Sequence, residues 1–178
     1  IALFYGGLVR QKNVLSIIMQ SLLIVGAVSI LWVAFGYSFV FGSSLMETDS
    51  VWRHFIGGFD KLFLQGITTS SLTTGRIPEL MFVLFQCMFA VITPALILGA
   101  FAERVKFAGF LMFTVLWSIL VYIPMAHWVW GGGFLQQMGA IDFAGGTVVH
   151  INAGIAALVM AILIGKRRDY KIGHPMAP

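Results

Sequence analysis

Apolar residues in this chain are grouped in long runs rather than alternating with polar ones. Four runs carry no charged residue: Val14–Met46, Leu80–Ala102, Phe107–Ile141 and Phe143–Gly165. Each exceeds the ~20 residues that an α-helix needs to cross a hydrocarbon core of ~30 Å. The pattern predicts spans over about 14–41, 80–102, 107–130 and 142–165. A partial span precedes them, because "IALFYGGLVRQKN" starts inside an apolar segment. The chain therefore reads as an all-α membrane protein, a polytopic helical bundle: the end of one span followed by four complete ones. Residues 42–79 form the longest loop and 166–178 a polar end. Within the loop, "VWRHFIGGFDKLFLQGI" mixes aromatic and charged residues and is expected to lie at the membrane interface. "ERVKF" is too short to separate its two spans, which are expected to be antiparallel neighbours.

Composition supports the pattern. Of 178 residues, 59% are hydrophobic and 10% charged, against the ~25% charged of an ordinary soluble domain. Mean hydropathy is +0.93. The pI of about 9.5 does not point to nucleic acid, because the bases are distributed by loop. Arg10, Lys12, Arg104, Lys106, Lys166, Arg167, Arg168 and Lys171 fall on one side of the membrane and Arg53, Lys61 and Arg76 on the other. That asymmetry assigns the first group to the cytoplasm. The acids lean the other way: Glu47, Asp49, Asp60, Glu79 and Asp142 outside, Glu103 and Asp169 inside, giving an outer face of −2 and an inner face of +6. A mildly negative outer mouth favours cations. Cys87, the single cysteine, lies within a span and reads as packing.

Several residues stand out from this background. His150 follows Asp142 by eight residues, about 12 Å along a helix axis, which puts an ionisable ring near the middle of the membrane. Such a residue is by default a candidate for lining a pathway; the alternative is a core histidine bonded to a backbone carbonyl. Gly146 and Gly154 flank it at four residues on either side, a spacing that permits close approach to the helix. Asp142 suits a helix start, where a carboxylate meets unpaired N–H groups. Phe82, Phe85 and Phe89 form one helical stripe, either plain packing or an apolar plug that excludes hydrated ions. Pro94 predicts a kink beside it. Tyr122, His127, Trp128 and Trp130 read as an aromatic belt at the outer interface, with Trp130 also a candidate for holding a cation on its indole face. A haem would need a second axial histidine at matching depth, and His127 is placed too near the surface. His54 and His174 fall in loops. No nucleophile–base or metal-ligand spacing appears inside the spans, so neither an enzyme nor a bound cofactor is expected.

The stretch "DFAGGTVVHINAGIAALVMAILIGKR" closely resembles the signature of the ammonium transporter (Amt) family, and "ALFYGGLVRQKNVLS", "FAERVKF" and "YIPMAHWVWGGG" resemble its other recurring segments, in the family's order. The resemblance implies a homotrimer of about eleven-span subunits, each with its own pore between two inverted five-helix repeats. This chain would be the first repeat. It implies that Trp130 recruits ammonium by cation–π contact at the outer vestibule, with Phe85 a further aromatic there. By the same resemblance Phe89 is one of two stacked gating rings, His150 the first of twin pore histidines, and Asp142 a structural support of the recruitment site. The partner histidine, the second gating ring and a vestibule serine would belong to the second repeat, so this chain alone could not enclose a pore. Ammonium uptake by deprotonation and passage of ammonia is the function implied, in the plasma (inner) membrane, with a trimeric PII-type signalling protein as a cytoplasmic partner. Two rivals are an ammonium sensor joined to a signalling module and a Rh-type gas channel, the latter disfavoured by Trp130.

Overall fold

A computed structural model describes residues 1–45 and 50–167. The charges at Glu47, Asp49, Arg168, Asp169 and Lys171, and His174, lie outside the described residues. The short helix α1 (Ala2–Gly6) precedes four long ones: α2 (Gln11–Phe41), α3 (Glu79–Phe101), α4 (Phe107–Gln137) and α5 (Gly146–Ile164). All four are long and apolar enough to cross a membrane. Among the described residues there is no strand, only an isolated antiparallel bridge between Leu72 and Pro78.

These helices are apolar nearly all round, so in lipid their packing depends on shape and on internal hydrogen bonds. α3 is the central element, packed against both α2 and α5. Val83, Ala90, Ile97, Leu98 and Phe101 of α3 are buried with Ile17, Ile24 and Trp32 of α2 and with Phe110 and Tyr122 of α4. The Trp32 indole N–H donates to the Val83 carbonyl at 3.1 Å. α3 runs as one continuous helix through Pro94, and the Thr93 hydroxyl donates to the Phe89 carbonyl at 2.6 Å, one turn before it.

Three helices contain π-helical turns, at Trp32–Gly36 in α2, Ser118–Tyr122 in α4 and Gly146–Ile151 in α5. Such widened turns often occur at functional sites. α5 begins at Gly146, four residues later than the apolar run suggested, and Asp142 lies ahead of it.

The belt reading of α4 needs correction at two positions. Tyr122 and His127 are both 0% exposed, inside the bundle rather than at an interface. His127 is held by backbone alone: Nδ1 lies 2.8 Å from the Val40 carbonyl and Nε2 2.9 Å from that of Arg53. It is thus unavailable to a metal because both nitrogens are engaged, not because it is near the surface.

The loop after α2 is tied back onto the helix end. The Asp60 carboxylate accepts N–H bonds from Ser43 and Ser44, at 3.0 and 2.9 Å. Burial pushes the Asp60 carboxyl upward, but these donors outweigh it and hold it below the usual carboxylate range. At the opposite end of the bundle, Glu103 gathers the segments at the start of α2 and after α5. Its carboxylate, in a side chain only 1% exposed, accepts from the Arg10 backbone N–H at 3.0 Å, Arg10 Nε at 3.3 Å and Asn13 Nδ2 at 2.6 Å, and pairs with Arg167 Nη1 at 2.9 Å.

Candidate functional site

At the end of the bundle where α3 begins and α4 finishes, three rings meet in series. Phe85 and Phe89, one helical turn apart on α3, have centroids 5.1 Å apart in an edge-to-face arrangement. Phe89 and Trp130 are 5.6 Å apart and tilted. Phe85 is 57% exposed, while Phe89 and Trp130 are half-buried, so the series runs from an open ring inward. The helical stripe on α3 therefore has a partner from α4 at its inner end.

Trp130 is fixed by its own polar atom. Its indole N–H donates to the backbone carbonyl of Asp142 at 2.9 Å, which leaves the ring's π-face as its means of attracting a cation. The sequence dictates this geometry locally. Trp130 is the last residue of a helical segment, Ile123–Trp130, and "GGG" at 131–133 turns the chain sharply. A Cβ on Gly131 would lie 2.0 Å from the Val40 carbonyl oxygen, so only glycine lets the backbone pass there.

Asp142 in turn organises the start of α5. Its Oδ1 accepts from the N–H groups of Gly145 and Gly146, both at 2.7 Å, and its Oδ2 from those of Thr147 and Val148, at 2.8 and 2.9 Å. These are the donors that a helix start leaves without partners. Burial alone would raise the Asp142 carboxyl; the four N–H groups prevail and hold it below the ordinary range. Gly145, at φ +88°, makes the turn that lets one carboxylate reach all four, and a Cβ there would sit 2.8 Å from Val149.

His150 lies farther along α5; its backbone N–H donates to the Gly145 carbonyl at 3.0 Å, and its ring is bonded to none of these groups. It is exposed, while its neighbours Val148 and Val149 are buried. With Gly146, Gly154, Leu158 and Ile162 it forms an exposed stripe of α5. No group within 4 Å would meet a Cβ on Gly154. Among the described residues no side-chain hydrogen bond engages the imidazole, whereas both ring nitrogens of His127 lie on backbone carbonyls. The structure thus brings together Phe85, Phe89, Trp130 and Asp142, and leaves His150 on an open helix face.

One feature beside these rings is not apparent from the sequence. Glu79 at the start of α3 is 9% exposed, pairs with Lys61, and accepts from the Tyr37 hydroxyl at 3.0 Å. The two charges lie in the loop and at its edge, where charged residues are ordinarily solvated. Only the juxtaposition of α2, the loop and α3 reveals them as partners. Among the described residues no group of three or more His, Cys, Asp or Glu could hold a metal ion.

The profile of the Ammonium Transporter Family matches residues 1–177. An ammonium transporter of Bacillus subtilis is 50% identical over 178 residues, which cover 98% of this chain and 42% of the relative. A putative ammonium transporter of Methanothermobacter thermautotrophicus is 47% identical, covering 97% and 41%. Among solved structures, Mep2 of Candida albicans superposes with a TM-score of 0.79 at 35% identity, over 94% of this chain and 36% of that one. Mep2 of Saccharomyces cerevisiae gives 0.79 at 34%, over 94% and 37%. The chain therefore spans well under half the length of these relatives. With a profile match along nearly all its residues and four apolar helices long enough to cross a membrane, this integral, multi-pass, all-helical chain belongs to the ammonium transporter family.

Proposed function

We propose that this chain supplies one half of a pathway that takes up ammonium at the mouth formed by Phe85, Phe89 and Trp130 and passes ammonia along the face of α5 that carries His150. The observation that carries the reading is the contiguous Phe85–Phe89–Trp130 series, tied by the Trp130 indole to the residue that caps the His150 helix. NH4+ rests against the indole face, where a cation gains ~0.5–2 kcal/mol. Carrying the full charge through the membrane centre would cost at least ~2.5–3.5 kcal/mol, so near Phe89 the ion passes its proton to a water molecule, NH4+ and H2O giving NH3 and H3O+, and the neutral molecule continues. A neutral imidazole at His150 offers one donor and one acceptor to ammonia. K+ has no proton to release and no N–H to donate, and is refused on chemistry rather than size.

In this reading the open stripe of α5 is covered by a second, inverted repeat of the full-length protein. That repeat contributes the partner histidine, the second gating ring and the vestibule serine. The same proposal includes a homotrimer with one pore per subunit, nitrogen uptake across the plasma membrane with Arg10, Arg104 and Lys166 facing the cytoplasm, and PII-type docking on that face. The test is His150→Ala in the full-length protein, assayed in proteoliposomes for ammonia conduction and for discrimination against K+. A fall in either is expected; unchanged values for both overturn the assignment of His150.

A further inference from the structure

Beside the ring series lies a second cavity of about 480 Å3, walled by Tyr37, Phe41, Phe82 and Trp130, with Glu79 and Lys61 among its polar lining and the loop at 72–77 along one side. The walls are themselves packed rings. Phe82 is 5.0 Å from Phe41 and 6.4 Å from Tyr37, and Tyr37 is 5.4 Å from Phe41. A buried carboxylate and an aromatic face converge on one point in this cavity. The Tyr37 hydroxyl donates to Glu79 Oε1 at 3.0 Å. The Lys61 ammonium pairs with that same oxygen and lies 5.7 Å from the centre of the Tyr37 ring. Carboxylate plus π-face is the combination that recognises a primary ammonium, and here the ammonium belongs to the chain.

We propose that Tyr37 and Glu79, in the cavity beside Trp130, form a second cation cage suited to a small monovalent ammonium, with Lys61 as its resident ligand. A tethered ammonium competes with free ions at a high effective concentration, so the cage stays filled. Its role follows from its place. Trp130 borders both the cage and the ring series, and with the cage open a loose cation would be held behind the indole, off the path, so that the charge beside Trp130 would vary with the ions in solution. Lys61 is therefore a specificity-determining residue: it neutralises Glu79 and leaves the π-face of Trp130 as the single cation trap of the mouth. This role rests on the reading of Trp130 as the recruitment residue; the cage itself does not.

The experiment compares the full-length protein with Lys61→Met and with Lys61→Met/Glu79→Gln, using NH4Cl and KCl as probes and choline chloride as the control salt. Lys61→Met empties the cage and leaves its carboxylate. Its thermal unfolding temperature is expected to rise with NH4Cl or KCl more than with choline chloride, and KCl is expected to raise its apparent KM for ammonium about fivefold, a ratio within the range of cation–π attraction. The unaltered protein should show neither response, and Glu79→Gln in the second variant should abolish both. If Lys61→Met is unstable but is rescued no better by NH4Cl or KCl than by choline, Lys61 is only a strut and the proposal fails. It fails equally if the double variant keeps the response. The thermal measurement is independent of conduction, so a failure of the Trp130 reading would appear in Trp130 variants and leave this result intact.

Discussion

The indole N–H of Trp130 and the backbone carbonyl of Asp142, 2.9 Å apart, join the aromatic mouth to the cap of the last helix. The helical segment of α4 that carries the ring ends at Trp130, and Asp142, ahead of α5, holds it there. The ring series and the helix carrying His150 are thus tied through one hydrogen bond, and a change at Trp130 or Asp142 bears on both.

Trp130→Leu keeps a smaller apolar side chain and removes the π-face together with the bond to Asp142. With ~0.5–2 kcal/mol of cation–π attraction lost, the apparent KM for ammonium in the full-length protein is expected to rise between about twofold and thirtyfold. Trp130→Phe, which keeps a ring, should fall between. Transport kinetics in proteoliposomes across a range of ammonium concentrations give the answer.

Asp142→Ala leaves four N–H groups at the head of α5 without their acceptor. A lost cap usually costs ~0.5–2 kcal/mol, and four donors on one carboxylate place this site at the upper end. The thermal unfolding temperature should drop and conduction should fall with it, since the Trp130 anchor shifts. Asp142→Asn keeps one acceptor oxygen and should lose less, so an equal loss in both would show that the second oxygen does nothing.

Gly145→Ala tests the same turn from the backbone. At φ +88° an L-residue is strained by ~1–2 kcal/mol, and the added Cβ would meet Val149 at 2.8 Å. Lower thermal stability is expected, whereas Gly154→Ala, with nothing within 4 Å, should leave the stability of this half unchanged.

The Glu103 hub makes a prediction in pH. Burial raises its carboxyl, but bonds from Asn13 and Arg10 and the charge of Arg167 prevail and hold it below its ordinary value. A depressed carboxyl contributes stability in full above its unfolded value of ~4.3 and loses it as pH falls through the folded value. Glu103→Gln should therefore destabilise the protein at neutral pH, by about 3 kcal/mol if it behaves as a broken buried pair. It should also flatten the loss of stability below about pH 4. A variant with the parent's acid profile would remove Glu103 from that role.

The bilayer explains how much of this could be read from the sequence alone. A run such as Phe107–Ile141 has to be a helix because no other backbone satisfies its own N–H and C=O groups in lipid. The same solvent hides the rest. With no polar face to orient a helix, nothing local showed that Tyr122 and His127 of α4 point into the bundle while Trp130 borders a cavity. That the head of α5 lies four residues beyond Asp142 was not legible, because "FAG" continues the apolar run of the helix yet folds into the loop that the Asp142 carboxylate needs. The ring stripe of α3 was visible as a period. Its contact with Trp130, 41 residues later in the sequence, was not, and neither was the pairing of Lys61 with Glu79.

The partners of Glu103 lie far from it in the sequence: Arg10 just before α2, Asn13 in the first turn of α2, and Arg167 just after α5. During synthesis the carboxylate emerges with the first two already made and the third not yet translated. The knot can be drawn tight only when α5 has been threaded across the bilayer. Insertion of α5 thus doubles as the step that completes the Glu103 cluster, and a ribosome stalled before Arg167 would leave Glu103 held by Arg10 and Asn13 alone.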